Sequence, residues 1–237
     1  EKSLPIVDQQ VQVKAHVKNI RLTKFLGKSA LIHLLAASNI SHGKVSIRGS
    51  VNILLNNGIA VKRCSRCWYG HTRIVPQVDH LVPTLQCKQV LESSLELHGS
   101  SSKEATNYLD LMHLRSFASA PVWNFDHQVD LSSRGNLKKL SILQAITSQP
   151  NFLLVDETAY LVDLKNLTDI VKGLKSYAEE ECESDWKCHH CGINITKSSK
   201  KCVIFVFNSI ILSLKHPSIM DFFDKVILMS ISRQIIF

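Results

Sequence analysis

A short apolar run, Phe152–Val155, follows Pro150 and ends in two adjacent carboxylates, Asp156 and Glu157. Consecutive apolar positions are typical of a parallel strand that is buried on both faces. Ligands of α/β sheets bind outside the carboxyl ends of the strands, where these two acids would lie. One carboxylate can organise Mg²⁺ and its neighbour can polarise an attacking water, which suits nucleotide hydrolysis. Taken alone, the stretch also fits a hairpin turn with two solvated acids.

A phosphate-binding pattern lies near the start of the chain. Gly27, Lys28 and Ser29 precede an apolar stretch at residues 30–36, which predicts a loop that runs into a helix. Backbone N–H groups at a helix N-terminus bind phosphate, a lysine neutralises the outer phosphates, and a serine hydroxyl helps to hold Mg²⁺. The full pattern also requires a glycine five residues before Gly27, where this chain has Leu22. The loop therefore reads as shortened.

Apolar periodicity predicts the other main elements. We expect helices at residues 89–97, 103–117, 137–148 and 165–180, with Ser102 as the N-cap of the second. In the last of these, Leu167, Ile170, Val171 and Leu174 fall on one face. Alternation of strands and helices predicts an α/β sheet with a helical subdomain.

The order of the motifs resembles the nucleotide-binding domain of ATP-binding-cassette (ABC) transporters. The resemblance spans residues 14–237 and is greatest to the G-type branch, which includes the white, sterolin and pleiotropic-drug-resistance transporters. Asp156 follows Ser133 by 23 residues, as the Walker B acid follows the signature serine in that family. The segments that carry the resemblance are, in order, 24–36 (phosphate loop and helix), 42–49 (antiparallel strand), 73–97 (Q-loop and helix), 131–142 (signature), 152–163 (Walker B and D-loop) and 222–237 (the G-type ending).

The resemblance implies a fold and a set of partners. It implies an α/β fold with a P-loop NTPase-like parallel sheet core, a small antiparallel β part and a helical subdomain at about residues 88–145. From the order of the motifs, we expect residues 153–155 to form a central strand beside the strand that ends near Gly27. Residues 1–237 would form one nucleotide-binding domain, with a Cys-rich insertion at 181–201. ATP and Mg²⁺ would be the cofactors. A second such domain would complete a homo- or heterodimer at the cytoplasmic face of a membrane, and a transmembrane domain outside this chain would carry lipid, sterol or other hydrophobic cargo.

The resemblance also implies roles for individual residues. Glu157 would be the general base, Asp156 would hold Mg²⁺ through water, and Gln77 would reach the Mg²⁺ and the attacking water. Nucleotide contacts, in this domain or across the dimer, are implied for Gly27, Lys28, Ser29, Ser133, Gly135, Asp163 and the switch histidine, taken as His216 with Asn208 and Lys215 as alternatives.

Several positions depart from the family pattern. Arg134 occupies the first glycine of the signature, where a side chain can block the approach of backbone to the partner's nucleotide or contact phosphate itself. Thr158 and Ala159 replace the usual Pro-Thr after the Walker B acids. Together with the shortened phosphate loop, these changes open an alternative function: an impaired cassette that serves as an asymmetric partner or regulator.

Seven cysteines include two Cys-x-x-Cys pairs, Cys64/Cys67 and Cys188/Cys191. Such pairs can build a tetrahedral zinc site, but these two are far apart in the chain, so we expect no metal and keep Cys188 and Cys191 as the alternative ligands. A zinc-bearing nucleic-acid-binding module is thus a third function class, which the formal net charge of +8 also allows. The basic residues are scattered rather than clustered, so we expect no nucleic-acid partner.

Overall fold

The computed structural model describes separate stretches of the chain. They are residues 28–36, 52–54, 60–62, 68, 70–123, 131–156, 162–181, 186–187, 194–195, 201–206, 217–224, 228–229 and 235–236.

A parallel sheet of three strands forms the centre of the described structure. Its strands are β3 (Thr72–Val75), β4 (Phe152–Val155) and β7 (Cys202–Phe205), in the order β3-β4-β7. Every residue of β4 is buried, as its apolar sequence predicted, and β4 is the middle strand. The predicted neighbour is wrong. A strand has two edges, and both edges of β4 are taken by β3 and β7, so the strand expected near Gly27 does not pair with it.

Helices cover both faces of this sheet. On one face, α1 (Lys28–Ala36) packs through Ile32, Leu35 and Ala36 against Leu154. The opposite face, which carries Leu153 and Val155, contributes to the main core. That core is formed with four helices: α2 (Cys87–Leu97), α3 (Ala105–Leu111), α4 (Leu131–Ile146) and α5 (Leu164–Glu179). Side chains of successive strand residues point to opposite faces, which is why one short strand serves two helical layers.

The helices predicted at 89–97 and 165–180 are confirmed as α2 and α5, and their bounds differ from the prediction by at most two residues. The four residues predicted for the apolar face of α5 are all buried. The predicted helix at 103–117 is interrupted: two 3₁₀ segments, Ser102–Glu104 and Arg115–Phe117, flank α3. His113 ends the helical path because its φ of 57° is left-handed. The N-terminal cap is Ser101 rather than Ser102, since the Ser101 side chain accepts from the Lys103 N–H.

Small antiparallel pairs complete the described strands. β1 (Asn52–Leu54) pairs with β2 (Ala60–Lys62). The antiparallel strand predicted at residues 42–49 lies outside the described residues. β5 (Trp186–Lys187) pairs with β6 (Asn194–Ile195) inside the Cys-rich segment, and β8 (Leu228–Met229) pairs with β9 (Ile235–Ile236). A 3₁₀ helix, Pro217–Phe222, packs on α5 through Ile219.

A buried lysine closes the amino end of the sheet, just before β7. The Lys201 ammonium donates to Gln149 Oε1 at 2.6 Å, pairs with Glu180 Oε2 at 2.7 Å and lies 4.2 Å from the centre of the Tyr177 ring. The Tyr177 hydroxyl donates to the Pro150 carbonyl at 2.7 Å. Buried charges in proteins are normally paired in this way. The cluster ties the end of α5 to the starts of β4 and β7, at the end of the sheet remote from Asp156.

Candidate functional site

Asp156 lies at the carboxyl end of the central strand, where the sequence placed it. Its backbone N–H donates to the Val75 carbonyl at 2.9 Å, so it lies beside the end of β3. The residue is only 4% exposed, and its Oδ1 has no hydrogen-bond partner among the described residues. A buried carboxylate oxygen without a donor is costly, and the usual remedy is a cation or a ligand donor. The site therefore has the chemistry of a hard-cation ligand.

A site with a single carboxylate suits Mg²⁺ better than it suits a metal ion that needs several protein ligands. Mg²⁺ keeps several waters and is commonly held by one or two carboxylates together with substrate phosphates. Within the described residues, no group of three or more His, Cys, Asp or Glu side chains could hold a metal ion. Asp156 can therefore contribute to a magnesium site that a phosphate ligand completes. The predicted base, Glu157, lies outside the described residues.

The helix that follows the phosphate-binding pattern begins at Lys28. Ser29 is half-buried in its first turn, where backbone N–H groups have no partner within the helix. The Lys28 side chain and Gly27 lie outside the described structure. Trp68 fixes the far end of α1, because its indole N–H donates to the Leu35 carbonyl at 2.7 Å. The same ring lies 4.1 Å from the ring of Phe152 at the start of β4, so Trp68 is a packing residue.

Gln77 follows β3 at the same edge of the sheet as Asp156. Its side chain is exposed, and its backbone carbonyl accepts a hydrogen bond from Lys138 on α4. The Lys138 ammonium donates to the carbonyls of Pro76 at 2.8 Å and Gln77 at 3.0 Å, and pairs with Asp79 Oδ1 at 2.7 Å. The sequence analysis missed Lys138. The available signal was a lysine four residues before Ile142, on the apolar face of a predicted helix.

The predicted signature residues lie in the first turns of α4 rather than in a loop before it. Arg134 is exposed, and Gly135 is buried. A Cβ at Gly135 would lie 2.4–2.6 Å from the Asn166 side chain, so only glycine fits where α4 meets the start of α5. The Ser133 side chain is not among the described groups. Close helix packing accounts for the glycine at this position, and its contact with a partner's nucleotide stays a prediction.

Asp163 caps α5. Its Oδ1 accepts from the Asn166 backbone N–H at 2.9 Å, and its Oδ2 accepts from the Asn166 side-chain amide at 2.6 Å. An aspartate at the N-cap satisfies an N–H that the helix leaves unpaired. Asn166 thereby connects the predicted D-loop residue Asp163 to the predicted signature residue Gly135.

Other predicted ligands fall outside the described residues. These are His216 with its alternatives Asn208 and Lys215, and the cysteines Cys188 and Cys191. Of two described cysteines, Cys87 is buried and Cys202 is partly buried, and burial raises the pKa of each thiol to about 11. Their thiolate forms are thus disfavoured, and thiolate is the form that binds metal.

His71 lies at the amino end of β3, away from Asp156. Its Nδ1 is 3.0 Å from Asn151 Oδ1. Burial lowers the pKa of His71, the hydrogen bond with Asn151 opposes this, and the charge of Arg73 lowers the pKa further. His71 is therefore disfavoured as a cation and packs as a neutral ring. It is a structural residue rather than part of the candidate site.

Of the helices within the described residues, none combines the length and the apolar character that a membrane span needs.

Comparison with known proteins gives a family and a fold. The family model described as "ABC transporter" matches residues 26–160. A dimeric ATP-binding cassette, solved in a post-hydrolysis state with ADP and Pi, aligns at 18% identity and a TM-score of 0.50, over 86% of this chain and 87% of that one. An "ATP binding subunit of ABC transporter" aligns at 20% identity and a TM-score of 0.42, over 62% of this chain and 57% of that one. No curated protein matches the chain.

Proposed function

Because this chain belongs to the ABC transporter family, we propose that it binds ATP with Mg²⁺ as the nucleotide-binding domain of a transporter. In this proposal the domain works as a dimer with a second cassette, homologous or identical, and drives a transmembrane domain outside this chain. The order of its motifs favours the G-type branch, with lipid, sterol or another hydrophobic compound as the cargo. The proposed place of action is the cytoplasmic face of a membrane.

The observation that carries this proposal is the burial of the Asp156 carboxylate with one oxygen that lacks a hydrogen-bond donor in the described structure. Its carboxylate is buried at the carboxyl end of the central strand, and Oδ1 has no partner among the described residues. Within a stable core such an atom costs free energy, and a bound cation recovers that cost. The neighbouring strand ends in the segment of Gln77, so two residues with proposed roles at the magnesium lie at one edge of the sheet.

The proposed roles follow from side-chain chemistry. Mg²⁺, when bound, neutralises charge on the phosphates and stabilises the phosphoryl group in transfer. Asp156 would orient waters around that ion, Gln77 would orient the attacking water, and Glu157 would accept its proton. The phosphates would lie at the start of α1, where a helix leaves its first backbone N–H groups without partners. Gly27, Lys28 and Ser29 would contact them there.

The remaining proposed contacts concern the dimer. Ser133 and Gly135, at the start of α4, would approach the nucleotide of the partner cassette, Asp163 would belong to the same interface, and His216 would be the switch histidine. Arg134 is exposed at the position of the first signature glycine. A long cationic side chain there requires the partner's phosphates to approach less closely than a glycine would allow.

The exposed Arg134 also favours a second candidate function, that of a catalytically impaired cassette. Such a domain would bind ATP and support an active partner in an asymmetric dimer, with slow or absent turnover of its own. Removing one well-placed electrostatic contact typically costs about 2.7–4 kcal/mol of the barrier. Altered phosphate-loop and signature contacts would therefore lower turnover by several orders of magnitude.

Nucleotide binding and turnover by the purified chain test both proposals. We expect a fluorescent ATP analogue to bind weakly, with an affinity that increases when Mg²⁺ is added, and we expect phosphate release to be slow or absent. Failure to bind the analogue with or without Mg²⁺ refutes the proposed function. Turnover near the typical enzyme value of about 10 s⁻¹ refutes the impaired cassette and retains the active one.

A further inference from the structure

One buried ammonium holds the backbone of the segment that carries Gln77. The Lys138 Nζ lies 2.8 Å from the Pro76 carbonyl oxygen, 3.0 Å from the Gln77 carbonyl oxygen and 2.7 Å from Asp79 Oδ1. The side chains of Lys138 and Asp79 are 6% and 11% exposed. A lysine ammonium has three N–H donors, and two of them are used by these carbonyls. Asp79 Oδ1 contributes as the counter-ion, because it has no hydrogen-bond partner among the described residues.

The contact has a local reason. β3 ends at Val75, and the carbonyls of the next two residues have left the strand ladder. Buried carbonyls need donors, and hydrogen bonds to a charged group in a buried site are stronger than bonds between neutral groups. The Lys138 ammonium therefore holds two consecutive backbone carbonyls and pairs with the Asp79 side chain, while the side chain of Gln77 remains exposed.

Lys138 arises from the helix whose first turns carry the predicted signature. It lies three residues after Gly135, one helical turn along α4. At the other side, the Val75 carbonyl accepts from the Asp156 N–H at 2.9 Å. A displacement of α4 would therefore move the Gln77 backbone through the Lys138 side chain. Gln77 follows Val75 by two residues, and Val75 is hydrogen-bonded directly to the Asp156 backbone.

We propose that Lys138 is a positioning residue, which sets where Gln77 lies relative to Asp156 and links that position to the start of α4. The inference rests on the proposed function, because it gives Gln77 a role at the magnesium and the attacking water. Lys138 does not touch the nucleotide in this proposal. It acts through the backbone of Gln77 alone.

The next residue of the helix supplies a matched control. Lys139 is also buried, and its ammonium pairs with Asp169 Oδ2 at the same 2.7 Å, with side-chain exposures of 3% and 14%. This pair connects α4 to α5 instead of to the segment after β3. Lys138→Met and Lys139→Met therefore remove similar buried ion pairs, but only the first releases Gln77.

The experiment is a double-mutant cycle on Mg²⁺-dependent nucleotide binding. The full chain and the variants Lys138→Met, Gln77→Ala and the double variant are titrated with Mg²⁺ at a fixed concentration of fluorescent ATP analogue, with Lys139→Met as the control. We expect Lys138→Met and Gln77→Ala each to raise the half-saturating Mg²⁺ concentration by about tenfold, roughly the effect of losing one hydrogen bond to a charged group. The double variant should be no worse than either single variant, and Lys139→Met should match the wild type.

The results distinguish failure of this inference from failure of the proposed function. Effects of Lys138→Met and Gln77→Ala that multiply in the double variant overturn the inference, since independent sites add in free energy. An equal effect of Lys139→Met also overturns it, because the change would then reflect general loosening of α4. No binding by the wild type overturns the proposed function and the inference together. If Lys138→Met does not fold, Lys138→Met with Asp79→Asn removes both charges and replaces it in the cycle.

Discussion

Replacement of Asp156 by asparagine should make the protein without nucleotide more stable and remove its response to magnesium nucleotide. The carboxylate is 4% exposed, and Oδ1 has no partner among the described residues. Asn has the same shape without the charge, so the variant removes much of the desolvation cost. We expect the free energy of unfolding to rise by about 1–2 kcal/mol. For a chain of this size, that raises the melting temperature by about 2–8 °C.

Addition of ligand should reverse the order of the two proteins. At a nucleotide concentration of 100 times Kd, a ligand that binds only the folded state stabilises it by about 2.7 kcal/mol. The wild type should gain this stabilisation from ATP with Mg²⁺, and Asp156→Asn should gain little. Thermal unfolding with and without ATP and Mg²⁺ measures both effects in one assay.

A carboxylate that has a purely structural partner serves as the control. Asp169 pairs with Lys139 at 2.7 Å on the α4–α5 contact. Asp169→Asn leaves the buried ammonium unpaired and should destabilise the protein by about 3 kcal/mol, equally with and without nucleotide. The reasoning about Asp156 is refuted if Asp156→Asn lowers the stability of the nucleotide-free protein by more than about 1 kcal/mol, the worth of a satisfied hydrogen bond. It is also refuted if ligand stabilises both proteins equally.

Four further expectations concern separate parts of the molecule. Gly135→Ala should lower the free energy of unfolding in urea by about 1–3 kcal/mol through overpacking, since its Cβ would lie 2.4–2.6 Å from a neighbouring side chain; Gly70→Ala, with nothing within 4 Å, should change it little. Any residual phosphate release should be lost in Glu157→Gln, and turnover unchanged by that variant would contradict its assignment as base. Because the pKa of His71 is lowered on folding, the unfolded chain takes up the proton first as pH falls. The contribution of His71 to the free energy of unfolding should thus be complete above about pH 6.5 and decrease below it. In unfolding measurements at several pH values, His71→Gln should show a weaker pH dependence. Elemental analysis should find no stoichiometric zinc, whereas one equivalent that Cys188→Ser removes would contradict the expectation.

Local patterns were sufficient to predict the central strand of the site and one helix that packs beside it. Four consecutive apolar residues before Asp156 predicted the buried strand β4, and all four are buried. The 3.6-residue period predicted α5 and its apolar face, because helix periodicity is a property of neighbouring positions along the chain. The order of the motifs indicated the family to which the chain belongs.

Contacts between distant parts of the chain depended on the tertiary structure. The neighbours of β4 begin 80 residues before it and 50 residues after it (152 − 72 and 202 − 152), and no local pattern selects one strand over another as the partner. In the sequence, nothing distinguishes Lys138 from other lysines of an amphipathic helix. Only the fold brings the carbonyls that follow β3 to its ammonium. Likewise, Gly135 is required by the side chain of Asn166, which only the crossing of α4 and α5 brings near. The local sequence therefore determined the central strand β4, the apolar face of α5 and the carboxylate that follows β4. The packing of those elements decided which charges are paired, and it buried the Asp156 carboxylate with no hydrogen-bond partner for Oδ1 among the described residues.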